Sequence, residues 1–256
     1  MNVHLLQSYV DRFYGYGAWE APLWFIGMEE GGCGTLDEVE RRLRNWETRG
    51  CMDLEDCCEY HIAMGVEHFF GPKGRLQHTW GKLVRIFLSY VDRPCDTDSV
   101  RRFQAQYFGS RSCGFASLEF LPLPSPSISD WIYSEIKGVP YLASREKYKE
   151  EVVPRRGKEL CRRIAFHKPK CVVIYGISYR NEWENILGKK FDRSDITDIM
   201  EAQFEESRIV LVAHPVSRGR TRLYWSGIGQ YLKTTNKAPE PTPTSVTPPA
   251  NESKSK

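Results

Sequence analysis

Three carboxylates and one histidine stand in or beside the places where this chain passes from an apolar run into polar or glycine residues. Glu29 and Glu30 lie in Gly27-Met28-Glu29-Glu30-Gly31-Gly32, Glu119 lies inside the run Phe115 to Leu121, and His214 follows Ala213 directly. A carboxylate so placed can hold a water molecule or accept its proton, and an imidazole can donate to an oxygen that gains charge. One donor aimed at such an oxygen is worth ~3 kcal/mol in a transition state. Gly27, Gly31 and Gly32 leave room for backbone to approach a ligand, and Pro215 fixes the turn so that the imidazole projects from a strand end. The plainer alternatives are that Glu29 and Glu30 face solvent beside a helix start, and that His214 is a hydrogen-bonded structural group. Arg218, Arg220 and Arg222 follow His214, and arginines there can grip phosphates through paired N–H groups. The glycine segment is neither Gly-x-Gly-x-x-Gly nor a phosphate loop with its lysine, which argues against dinucleotide or nucleoside-triphosphate binding.

Four apolar runs must carry these groups: Leu23 to Ile26, Phe115 to Leu121, Cys171 to Tyr175 and Ile209 to Ala213. Short continuous runs separated by helical pattern read as buried parallel strands. In an open parallel sheet the ligand lies outside the carboxyl ends of the strands, which is where the carboxylates, the histidine and the glycines would gather. Between the runs, Thr35-Leu36-Asp37-Glu38 has the form of a capping box, with Leu36, Val39, Leu43 and Trp46 following at helical spacing up to Gly50. A second amphipathic helix is expected over His78 to Tyr90, a third from Pro154 to about His167, and a last one over Leu223 to Leu232. Pro122 to Pro140 reads as a long ordered loop, while Cys51 to Lys73 fits no single pattern. The expected fold is a three-layer α/β domain over residues 1–233, with a central four-stranded, mostly parallel sheet flanked by helices. Residues 234–256, rich in Pro, Thr and Ser, have nothing to bury and are expected to be disordered.

At 256 residues and 41% hydrophobic content, the chain suits one sizeable soluble core. Neither a signal peptide nor a spanning helix is expected from Met1 to Gly17, so a cytoplasmic setting is the default. The net charge of +3 is too small to imply nucleic acid by itself. Arg155, Arg156, Lys158, Arg162, Arg163, Lys168 and Lys170 crowd one segment, read first as a solvated helix face. The eight cysteines include no Cys-x-x-Cys pair, so no metal and no cofactor is expected.

Taken in order, Gly27-Met28-Glu29 with its glycines, Ser117-Leu118-Glu119-Phe120-Leu121-Pro122-Leu123-Pro124, and His214-Pro215-Val216-Ser217-Arg218 resemble the motifs of the uracil-DNA glycosylase superfamily. The resemblance covers roughly Pro22 to Leu232 and implies a monomeric DNA glycosylase that removes a damaged or deaminated base rotated out of the helix. It implies catalytic roles for Glu29, which would position water, and His214, which would stabilise the departing base. It places Gly27, Met28, Glu119 and the stacking ring of Phe70, or of its neighbour Phe69, around that base. Ser217, Arg218 and Arg220 would hold the flanking phosphates of single- or double-stranded DNA.

The chain departs from the family's pattern at three points: no proline follows Glu29, Glu119 stands where the family has an amide, and Val216 replaces the serine of His-Pro-Ser. An ionised carboxylate only accepts hydrogen bonds, whereas uracil offers both a donor and acceptors. Glu119 would then favour a base presenting amino or imino donors, or be protonated, or mark a chain that has lost catalysis. Two other readings therefore stay open: a catalytically altered nucleic-acid-binding module on the same fold, and an unrelated α/β hydrolase or transferase acting on a nucleotide.

Overall fold

The computed structural model describes residues 1–127, 129–194, 196 and 198–234. Residues 235–256, and with them nearly all of the expected tail, lie outside the described residues. The strands are β1 (Gly15–Tyr16), β2 (Leu23–Gly31), β3 (Leu54–Glu55), β4 (Phe115–Ser125), β5 (Cys171–Tyr175), β6 (Asp192–Arg193), β7 (Ile199–Phe204) and β8 (Ser207–Val212). The helices are α1 (Val3–Arg12), α2 (Leu36–Thr48), α3 (Cys57–Ala63), α4 (His78–Tyr90), α5 (Thr97–Tyr107), α6 (Arg145–His167), α7 (Arg180–Leu187) and α8 (Arg222–Thr234).

All four apolar runs are strands, and they are neighbours. Each of the pairs β2–β4, β2–β5 and β5–β8 is parallel. The sheet itself is larger than expected, with eight strands in the order β3-β1-β4-β2-β5-β8-β7-β6, so the expectation of four mostly parallel strands is corrected to a mixed sheet. β1 runs antiparallel to β4 at one side, while β7 and β6 add an antiparallel ribbon at the other. The reason is local: β1, β3 and β6 are two residues each, too short to show a period, and β7 is a half-exposed strand whose Glu201, Ala202 and Gln203 dilute its alternation.

Phe115 and Phe120 are five apart on β4 and so face opposite sides of the sheet. Phe87 of α4 and Phe103 of α5 pack on Phe115, whereas Trp183 of α7 packs on Phe120 beside α6. Helices thus cover both faces, as a buried parallel centre requires.

Two expectations about prolines are corrected. Pro122 and Pro124 continue β4, which runs on to Ser125, so the long loop starts later than the sequence suggested. Pro154 lies in the middle of α6 rather than in its first turn; the helix starts at Arg145, and the Ser144 hydroxyl accepts from the Lys147 N–H. Pro154 and Glu150 are both exposed, so the carbonyl that loses its helical partner faces water, where the loss costs least. At Thr35 half of the expected capping box forms, the hydroxyl accepting from the Glu38 N–H, while the Glu38 carboxylate accepts from the Gly34 N–H one residue earlier.

Candidate functional site

From β2 the chain places β4 on one side and β5 on the other, so the strand order reverses between the carboxyl ends of β2 and β5. That reversal opens the crevice in which α/β sheets take ligands. Gly27 of β2 pairs with Glu119 of β4, and Tyr175 closes β5. A β-carbon on Gly27 would fall 2.6 Å from Cζ of Tyr175 and 2.8 Å from Oε2 of Glu119, so the two polar ends converge over a bare α-carbon. The Tyr175 phenol stands beside the Glu119 carboxyl over Gly27, and its ring lies 5.6 Å from that of His214. Three strands therefore deliver Glu119, Tyr175 and His214 to one spot.

Glu119 is 9% exposed, and its Oε2 is buried with no hydrogen-bond partner among the described residues. Its burial, with the carboxylates of Glu30 and Glu29 nearby, pushes its pKa well above the ordinary carboxylate range. An unpaired carboxyl in a folded interior is costly unless something else meets it, which makes this cluster the candidate site. A surface cleft of about 330 Å³, lined by Arg12, Trp19, Asp53 and Arg111 among others, lies apart from it. There Asp53 already has partners in Arg12 and Arg163.

His214 is half-buried. Its Nδ1 accepts the Val216 N–H at 3.2 Å, which leaves the proton of the neutral ring on Nε2. Burial and the Lys82 ammonium both lower its pKa, favouring that neutral donor form. Lys82 of α4 also donates to the Pro215 carbonyl, so α4 holds the turn that carries the histidine.

Glu29 and Glu30 go to different helices. Nη1 of Arg145, from the start of α6, reaches both Glu29 oxygens at 2.7 and 2.6 Å. Burial raises the Glu29 pKa while Arg145 and Lys149 pull against it, and the balance stays on the raised side. Arg145 itself is fixed by Ser125 Oγ at 2.6 Å and by the Trp131 ring at 5.0 Å. Glu30 meets both ends of the Arg42 guanidinium at 2.7 and 3.3 Å, with His61 Nε2 at 3.8 Å. Burial opposes its ionisation, but Arg42 and His61 overcome this and hold its pKa at about 2. Glu30 is thus a structural anchor, and Glu29 is the carboxylate of the pair left at the strand end with its charge oriented.

The remaining expected site residues divide in the same way. Met28 and Phe70 are buried; Phe70 packs against His61 and Trp80, within the core rather than on an open face. Ser217 is half-buried and its N–H donates to the His214 carbonyl at 2.8 Å. Arg218 is exposed with no ion pair among the described residues, while Arg220 bridges to Asp198 at 2.7 Å and lies 5.0 Å over the Tyr224 ring. Val216 on this loop and Leu223 in the first turn of α8 are large apolar residues left 63% and 81% exposed.

The basic segment of α6 is only partly a solvated face. Arg156 is 1% exposed and donates to the carbonyls of Phe120 at 2.6 Å, Val10 and Phe13 at 2.9 Å, and Glu119 at 3.0 Å. Arg155 pairs with Asp11, and Arg163 with Asp53 and Glu159. Sequence reasoning missed Tyr175, Arg145 and Arg156. Tyr175 alone carried a signal, as the polar-tipped last residue of an apolar run before Gly176.

All eight cysteines are free, and the described residues contain no group of three His, Cys, Asp or Glu side chains that could hold a metal ion. No described helix is long and apolar enough to cross a membrane. Comparison with protein-family models and with curated proteins gives no match.

Proposed function

We propose that the chain is a DNA-base glycosylase of the uracil-DNA glycosylase type, hydrolysing the N-glycosidic bond of a damaged or deaminated base turned out of the helix. The observation that carries this reading is the convergence of Glu119, Tyr175 and His214 over Gly27 at the reversal of strand order. Breaking an N-glycosidic bond places positive charge on the sugar and negative charge on the base. Glu29, oriented by Arg145, would face the sugar, steer a water to C1′ and accept its proton. The base would leave as an anion, and the His214 Nε2–H would stabilise it before it takes a proton from solvent. Arg218, exposed and without an ion pair among the described residues, would supply a cation for a phosphate, and exposed Val216 and Leu223 suit insertion beside the extruded nucleotide.

The test is release of base, seen as abasic product, from single-stranded and duplex oligonucleotides carrying uracil, hypoxanthine, xanthine or an oxidised pyrimidine. Excision of one of them that is lost in Glu29→Gln and His214→Ala is the expected result. No product and no binding with any of them would sink the reading.

One observation favours a second reading, a binding module without catalysis: both Glu29 oxygens are already engaged by Arg145. Salt-sensitive DNA binding without excision of any of these bases would select it.

A further inference from the structure

Three carboxylates meet at these strand ends, and among the described residues two guanidiniums pair with them. Arg145 engages Glu29 and Arg42 engages Glu30. The Glu119 carboxyl has no cation paired with it among the described residues, Arg156 meeting only its backbone carbonyl, and Glu119 is the least exposed of the three. The groups around it are Glu29 and Glu30 from β2, Tyr175 from β5 with His214 against its ring, and Arg42 from α2, already engaged by Glu30. Two like charges, a phenol and a bare glycine backbone give an ionised carboxyl little to hold it.

We propose that Glu119 works as a neutral carboxylic acid, reading a planar ligand through one O–H donor and one carbonyl acceptor side by side. The inference rests on the proposed site being the ligand site, and it names the recognition chemistry there. A neutral acid matches a heterocycle edge that carries an acceptor next to a donor, as an N–H beside a C=O does. An ionised acid would match only an edge made of donors. Glu119 thereby does the work of an amide with an atom that titrates. Recognition is present while the proton is held and is lost as pH rises, by about tenfold in affinity for each pH unit above the midpoint. Tyr175 is a positioning residue. Its phenol, a donor beside the carboxyl, draws the Glu119 pKa down, so removing the phenol moves the midpoint to higher pH.

Two measurements on the full chain test this. Infrared difference spectra of wild type against Glu119→Gln should show a protonated-carboxyl band at neutral pH, which disappears on raising the pH and disappears later in Tyr175→Phe. Binding to oligonucleotides carrying 2′-fluoro-substituted uridine or inosine, which resist cleavage, should fall along the same titration in wild type and stay flat in Glu119→Gln. Absence of the band at neutral pH overturns the proposal, as does binding whose pH dependence is the same in both proteins or no binding at any pH. Neither measurement needs turnover. Binding that follows the titration, with no excision of the cleavable bases, would support this inference while removing the glycosylase reading.

Discussion

Gly27 sits beneath the phenol of Tyr175, and the space a β-carbon would need is filled by that phenol and by Glu119 Oε2. The glycine is therefore required by what its neighbours on β4 and β5 place over it.

Substituting Gly27→Ala should push Tyr175 and Glu119 apart. Overpacking of this kind costs about 1–3 kcal/mol, and the larger effect should fall on the site. Thermal melting and base excision measured together should show a modest loss of stability with activity abolished. Full activity in the variant would show that the convergence has no functional role.

Removing the His214 donor by substitution with alanine should lower the excision rate by about 10²–10³-fold while leaving the melting temperature nearly unchanged. Because the competent imidazole is neutral and its pKa is lowered, wild-type activity should hold as pH rises through the ordinary histidine range. A rate that falls across that range with Glu119 replaced by glutamine would show that the protonated ring is the active form.

Glu30 links stability to acid. Its folded pKa of about 2 lies below the ordinary carboxylate value of 4.5, so the contribution is complete above the unfolded value and is lost as pH falls toward 2. The difference corresponds to about 3 kcal/mol. Urea melts of wild type and Glu30→Gln should differ at pH 7 and converge near pH 2. Replacing Arg42 by methionine leaves Glu30 buried without its partner and should cost more, about 3–5 kcal/mol.

Arg218 should act through charge alone. Arg218→Ala should weaken DNA binding equally across sequences and reduce the slope of log affinity against log salt by about one. Arg220→Ala should do less to that slope, because its guanidinium is already paired with Asp198. Equal slopes for Arg218→Ala and wild type would remove Arg218 from the interface.

The centre of the fold was legible because buried parallel strands must be apolar on both faces, and Leu23 to Ile26, Cys171 to Tyr175 and their partners obey that demand. The sheet edges were not. Gly15–Tyr16 or Asp192–Arg193 becomes a strand only through the neighbour it pairs with, and no two-residue segment announces a neighbour. At the site, Gly27, Glu119 and His214 could be placed from the strand ends they occupy. Whether Glu29 or Glu30 stays at the strand end depended on Arg145 and Arg42, which are 116 and 12 residues away in the chain. Arg156 misled most, because among six other basic residues its sequence context is that of a surface, and only the carbonyls around it show otherwise.

That same guanidinium makes the first helix part of the site's foundations. One side of it holds the carbonyls of Val10 and Phe13, and the other holds those of Glu119 and Phe120. A chain trimmed of its first thirteen residues would lose no group that faces a ligand. It would nonetheless strand a positive charge beneath β4, with the acceptors of Val10, Asp11 and Phe13 gone, and the strand carrying Glu119 would bear the strain. The amino terminus thus props the strand that carries Glu119, and because Leu6, Tyr9, Val10 and Phe13 are also core residues, removing it should cost the fold and the proposed site together.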